Sequence, residues 1–181
     1  MIITITRKFG SGGREIGRRL AERLDIPYYD VDFLPQPGDD GWREQLLRLA
    51  EGGPCVMVGF CADFVLAGRE GLMRIFIHCD MERRLERIMR ENDLSREQAQ
   101  REALYQDRER SRLYGCYTGA KWADLDRYDL TVNSGLLGTE GTVELLGQFV
   151  ALNVMRRRRS PCVRREPQPC RCCIRSGGCL C

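Results

Sequence analysis

At 181 residues the chain has room for one domain able to bury its own core, but not for a second full one. Hydrophobic residues at 43% and charged residues at 30% exclude the composition of a disordered chain, and no apolar run approaches the ~20 residues of a membrane span. The net charge of +3 is uneven: from Asn153 onward eight arginines face one acid, Glu166, a tail of +7 on a body of −4, which argues against a nucleic-acid face on the body.

Of ten cysteines, Cys55, Cys61, Cys79 and Cys116 are scattered without metal or disulfide spacing, and the other six fall in the last twenty residues. No charged segment precedes a long apolar stretch in MIITITRKFG. A reducing cytoplasmic location is expected, with the body cysteines acting as small hydrophobes.

Met1 to Thr6 is β-branched and apolar, and Gly10, Gly12 and Gly13 stop it before a helix whose Ile16, Leu20 and Leu24 share one face. Tyr28 and Tyr29 begin a second strand. Asp32 to Gly41, with Pro35, Pro37 and Gly38, reads as a loop before a helix from Trp42 to Ala50. Cys55 to Gly59 and Met73 to His78 are short apolar runs suited to strands covered on both faces. Asp80 caps a helix carrying Met81, Leu85, Ile88 and Met89, and Ser95 with Gln98 opens another running to about Arg112. Leu130 to Asn133 is the final strand, and Val143, Leu146, Phe149 and Val150 stripe the last helix. Alternating strands and helices predict an α/β three-layer sandwich, a mainly parallel sheet with helices on both faces. Periodicity ends after Met155, so the expected division is a domain over 1–155 and a basic, cysteine-rich tail, disordered unless bound, over 156–181.

The first strand-to-helix turn, RKFGSGGR from Arg7 to Arg14, lies where parallel sheets gather ligands. Its glycines let amides turn inward and the helix adds its positive end, which suits a phosphate. Arg14 in the first helical turn opposes the helix dipole unless a bound anion compensates it. The alternative is a plain glycine turn with a solvated arginine. The usual G-x-x-x-x-G-K-[ST] loop is not matched, since Lys8 holds its first glycine position and Glu15 its Ser/Thr position.

The run ITRKFGSGGREIGRRLAERLDIPYYD resembles the opening of the cytidylate kinase-like family, and GPCVMVGFCADFVL, RIFIHCDMERRLERIM and YTGAKWADLDRYDLTVNSGLLG follow in the same order. The resemblance spans Met1 to about Leu152. It implies a P-loop NTPase-like fold and an ATP- and Mg²⁺-dependent kinase, a transferase acting on a pyrimidine nucleoside monophosphate. It also implies that Gly10, Ser11, Gly12, Gly13 and Arg14 wrap the donor phosphates, Arg14 doing the work of the usual lysine. Arg87 and Arg110 resemble lid arginines that close over the transferring phosphoryl group. Asp30 matches an acceptor-side carboxylate, and Asn133 and Ser134 lie near the donor base by analogy. No metal-ligating residue of the chain is assigned.

Each residue also has an ordinary reading: Arg87 with Glu91, and Arg110 with Glu109 or Asp107, as solvated helix faces; Asp30 as a turn residue; His78 as a packed strand end. The chain departs from the family in two places. Phe60 stands where relatives commonly carry an acceptor-phosphate arginine, and only Phe33 to Gly41 replaces a long helical insert covering the acceptor. A nucleotide-binding or regulatory module that kept the fold without full catalysis is therefore the alternative function. The tail's RRRR run is a candidate contact for nucleic acid or another polyanion, and CRCC with CLC a weak candidate for zinc, since paired C-x-x-C spacing is missing.

Overall fold

Ile2–Arg7 forms strand β1, and every residue in it is buried. A strand covered on both faces belongs inside a parallel sheet. Here β1 occupies the middle, paired in parallel with β3 (Cys55–Gly59) on one side and β4 (Leu72–His78) on the other. With β2 (Tyr28–Val31) against β3 and β5 (Leu130–Asn133) against β4, the order is β2-β3-β1-β4-β5, parallel throughout. The structure, a computed structural model, describes residues 1–32, 41–59 and 61–159. The proline-bearing segment 33–40, the Phe60 position and the Cys-rich remainder of the tail lie outside the described residues.

Alternate side chains of the strands face opposite helical layers, as the pleat requires. Ile3, Ile5, Val56, Val58, Ile75 and Ile77 pack with Ile16 and Leu20 of α1 (Gly13–Leu24) and with Val143, Leu146 and Val150 of α6 (Ser134–Arg159). Cys55, Met57, Leu72 and Phe76 pack with Trp42 and Leu46 of α2 (Gly41–Glu51), Ala62 of the short α3 (Ala62–Val65) and Tyr114 of α5 (Arg96–Thr118). Each fully buried large aliphatic contributes about 1.5–3 kcal/mol relative to exposure. The three-layer α/β architecture anticipated from the alternation of elements is thus present.

Two predicted caps form as expected. Asp80 Oδ1 accepts from the Arg83 amide at 3.1 Å and opens α4 (Met81–Asn92), while Ser95 and Gln98 make a reciprocal capping box at the start of α5. Two boundaries differ. The α5 helix runs to Thr118 rather than about Arg112, because Tyr114 is a core residue on the far side of Arg112, and it ends where Gly119 takes a left-handed conformation. The α6 helix continues to Arg159, past the end of its apolar stripe, and is kinked at Gly138. Leu85 and Ile88 of α4 meet Ala99 and Ala103 of α5 in a small separate cluster, so this helix pair stands over the carboxyl ends of β1 and β4. Among the described residues no helix is long and apolar enough to cross a membrane.

Candidate functional site

The loop after β1 is shaped by glycines. Gly10 (φ 75°) and Gly12 (φ 76°) lie in the left-handed region, where a side chain is strained. There is also no space for one: a Cβ on Gly10 would lie 2.8 Å from the Ile88 side chain, and a Cβ on Gly12 would run into the Arg87 guanidinium. Gly12 is the N-cap of α1 and supplies no capping side chain. The opening amides of Gly12, Gly13, Arg14 and Glu15 precede the first intrahelical bond, from Ile16 to the Gly12 carbonyl, and have no acceptor within the helix. Arg87 lies across this turn with Nη1 3.5 Å from Glu15 Oε2, so it joins the loop rather than pairing with Glu91 on its own helix.

Hydroxyls fix the loop from beneath. Ser11 is buried, its Oγ donating to the Lys8 carbonyl at 2.7 Å, so it braces the turn from inside. Ser134, also buried, donates to the Ser11 carbonyl at 2.7 Å, and Asn133 Oδ1 accepts from the Gly135 amide at 3.0 Å. Both residues expected near a donor base therefore serve the strand end and loop in this structure. His78, at the end of β4, is held below its ordinary pKa by burial and then by Lys8, so it is uncharged at neutral pH.

Two helices grip the loop at Phe9. Asp107 Oδ1 accepts from the Phe9 amide at 2.9 Å, Arg84 Nε donates to the Phe9 carbonyl at 2.7 Å, and the two side chains pair at 2.6 Å. Arg84 is only 3% exposed. Asp107 is thus no solvated-face partner of Arg110.

Arg110 instead points into the molecule, 8% exposed, with Nη1 donating to the Arg7 carbonyl at 3.0 Å and Nη2 3.2 Å from Asp32 Oδ2. That same oxygen receives Arg7 Nη2 at 2.9 Å and Arg14 Nη2 at 3.0 Å. Arg14 also reaches Asp30 through Nε at 2.8 Å. Arg14 and Asp30, on the exposed side, therefore meet at the carboxyl end of β2, and Arg14 leans away from the glycine turn. Burial pushes the Asp32 carboxyl up, but Arg7, Arg110 and then Arg14 outweigh it and hold it below the usual carboxylate range. Burial, and then Arg7, push Arg110 down to about 10, which leaves it charged at neutral pH.

Arg7, Asp32, Arg84 and Asp107 were not assigned roles from sequence. Arg7 carried one legible signal, a charge at the end of a β-branched strand suited to burial, which has to be paired. Behind the site, Asp63 is fully buried at the start of α3 and accepts from the Tyr114 hydroxyl at 2.6 Å. Its Oδ1 has no hydrogen-bond partner among the described residues, and burial raises its pKa against the opposing pull of the Tyr114 hydrogen bond and Arg127.

The donor set tests what the site can hold. Helix-opening amides with no acceptor among the described residues, beside Arg87, fit an anion such as a nucleotide phosphate. Among the described residues no group of three His, Cys, Asp or Glu side chains could hold a metal ion. Magnesium does not need such a cage, because it binds through nucleotide phosphates and water.

The solved structure of an uncharacterized protein from Eubacterium ventriosum superposes with TM-score 0.75 at 24% identity, over 83% of this chain and 98% of that one. A gluconokinase from Sinorhizobium meliloti does so with TM-score 0.54 at 16% identity, over 86% and 96%. Shikimate kinase from Aquifex aeolicus gives 0.52 at 22%, over 86% and 99%. These likenesses are of fold, and the fold is that of P-loop kinases. No curated protein matches by sequence. The cytidylate kinase-like family model matches residues 2–36 and 42–136, which take in all five strands of the sheet and both helices that grip the glycine loop. The chain belongs to the cytidylate kinase-like family.

Proposed function

We propose that this protein is an ATP-dependent nucleoside monophosphate kinase that transfers the γ-phosphoryl group to a pyrimidine monophosphate. One observation carries the reading: the opening amides of α1, which have no acceptor within the helix, share the carboxyl edge of the sheet with Arg14, Arg87 and Arg110. Phosphoryl transfer asks for positioned positive charge more than for an acid, a base or a nucleophile.

In this reading the backbone of Gly10, Ser11, Gly12 and Gly13, with Arg87, receives the donor phosphates. Arg14 and Arg110 stand on the β2 side, toward the acceptor, where Asp30 contacts the acceptor nucleoside. Magnesium, arriving with ATP, neutralises charge on the phosphates. The working unit is residues 1–155 in the cytoplasm, with 156–181 as an appended tail. Mg·ADP and Mg·ATP are expected to raise the melting temperature, and a panel of nucleoside monophosphates with product detection is expected to reveal turnover on CMP or UMP. An unchanged melting curve at millimolar nucleotide rejects donor binding. No turnover across the panel rejects the kinase.

A second reading, a nucleotide-binding module without full catalysis, is favoured by Phe60, because a phenyl ring cannot pair with a phosphate. Phe60→Arg separates the two: a large gain in turnover marks a weakened kinase, and unchanged silence with intact nucleotide binding marks a module of another role.

A further inference from the structure

Three guanidinium groups converge on one carboxylate oxygen. Arg7, Arg14 and Arg110 each place an Nη2 within 2.9–3.2 Å of Asp32 Oδ2. Their chain positions make this costly to assemble. Arg7 ends the central strand, Arg14 lies in the first turn of α1, and Arg110 comes from α5, 103 residues from Arg7. Arg7 and Arg110 are almost wholly buried, and like charges so close repel in a medium less polarisable than water. Asp32 supplies one negative charge against three positive ones. Among the three arginines, Asp30 pairs with the exposed Arg14. The buried part of the cluster therefore stays short of negative charge.

We infer that Arg7, Arg14 and Arg110 form the binding site for the phosphate of the acceptor, with the Asp32 carboxylate holding that anion's place in the free protein. The inference rests on the kinase reading and names the acceptor-side residues it leaves open. A phosphate monoester presents several oxygens and up to two negative charges, so it accepts from the three forks at once and balances them better than a carboxylate can. The cluster lies at the carboxyl ends of β1 and β2, on the same edge of the sheet as the glycine turn that follows β1. An acceptor phosphate there shares that edge with a donor phosphate on the loop. It also explains how the chain dispenses with an arginine at position 60: the charge is supplied from the strand end and from α5.

The test is calorimetric titration of orthophosphate and of CMP into protein pre-saturated with Mg·ADP, so that the glycine loop is filled, for wild type, Asp32→Asn and Arg14→Met. Arg14 is largely exposed, so Arg14→Met folds even if Asp32→Asn does not. Removing the competing carboxylate is expected to tighten both ligands about tenfold, and removing one fork to weaken both about tenfold, as expected for one charge-assisted hydrogen bond from a largely exposed side chain. Cytidine, which lacks the phosphate, is expected to bind all three proteins alike. Orthophosphate and CMP affinities unchanged in Arg14→Met, or unchanged or weaker in Asp32→Asn, overturn the inference. Failure of Mg·ADP to bind wild type would instead reject the donor reading, and the same titrations without nucleotide would still judge the arginine cluster.

Discussion

Arg84 on α4 and Asp107 on α5 pair at 2.6 Å and together take both polar groups of the Phe9 peptide, so the conformation of the glycine loop depends on how these helices dock. Arg84→Met keeps the length of the side chain but leaves Asp107 without its cation and the Phe9 carbonyl without its donor. Breaking a buried pair on one side costs about 3 kcal/mol. Urea unfolding is expected to register a loss of that order, and Mg·ADP titration a weaker affinity, because the loop amides lose their fixed directions. A variant as stable as wild type would mean the bracket contributes nothing.

Gly12 tests the loop without touching charge. Gly12→Ala pays roughly 1 kcal/mol for a left-handed residue bearing a Cβ. It also displaces Arg87, whose guanidinium occupies the space that the methyl group needs. The expected result is a folded protein with a slightly lower melting temperature and no nucleotide-induced rise. Arg87→Met, free of backbone strain, is expected to lose most of the same rise. If Arg87→Met kept it in full, Arg87 would have no part in holding the donor.

Acid tests what Asp32 contributes to stability. Its folded pKa is depressed, since three arginines outweigh burial, so the unfolded chain takes up the proton first as pH falls. The stability it contributes is complete above the ordinary carboxylate value of about 3.9 and is lost as pH falls from there through the lower folded value. Melting temperature against pH is expected to drop below pH 4 in wild type. Asp32→Asn, already less stable at pH 7 because its arginines lose their anion, is expected to drop less steeply over that range. Parallel curves would place the acid sensitivity elsewhere.

Much of the architecture was legible because it is written locally. Cys55–Gly59 and Met73–His78 read as strands from short apolar runs, and the Ser95–Gln98 box marked the start of α5 to the residue. The glycine turn was legible too, since positive φ leaves glycines as its trace. The arginine cluster was not. Arg110 has Asp107 and Glu109 as sequence neighbours, which makes a solvated face the natural reading, yet its partners are the Arg7 carbonyl and Asp32, brought near only by the β2-β3-β1 order. Ion pairs between residues so far apart leave no period or spacing to read. The end of α5 was missed for a related reason: Tyr114 packs into the core through the tertiary fold, and α5 carries no amphipathic stripe that would reveal its length.

Asp63 presents the opposite electrostatics to Asp32. Burial raises its pKa, and although the Tyr114 hydrogen bond and Arg127 oppose that, the net direction in the folded state is upward. Folding therefore becomes less favourable as pH rises from the ordinary carboxylate value through the raised one, and above both the full cost of a buried charge remains. An amide is neutral and can still accept from the Tyr114 hydroxyl, so Asp63→Asn removes that cost while keeping the 2.6 Å hydrogen bond. It is expected to be at least as stable as wild type at pH 8, and its stability to vary less between pH 4 and pH 8. Tyr114→Phe, which strands a buried oxygen, is expected to lose about 1–3 kcal/mol. Urea unfolding across that pH range checks both variants. If Asp63→Asn instead fell as far as Tyr114→Phe at pH 8, the carboxylate would be ionised and stabilised by Arg127, and the buried acid would count as half of an ion pair.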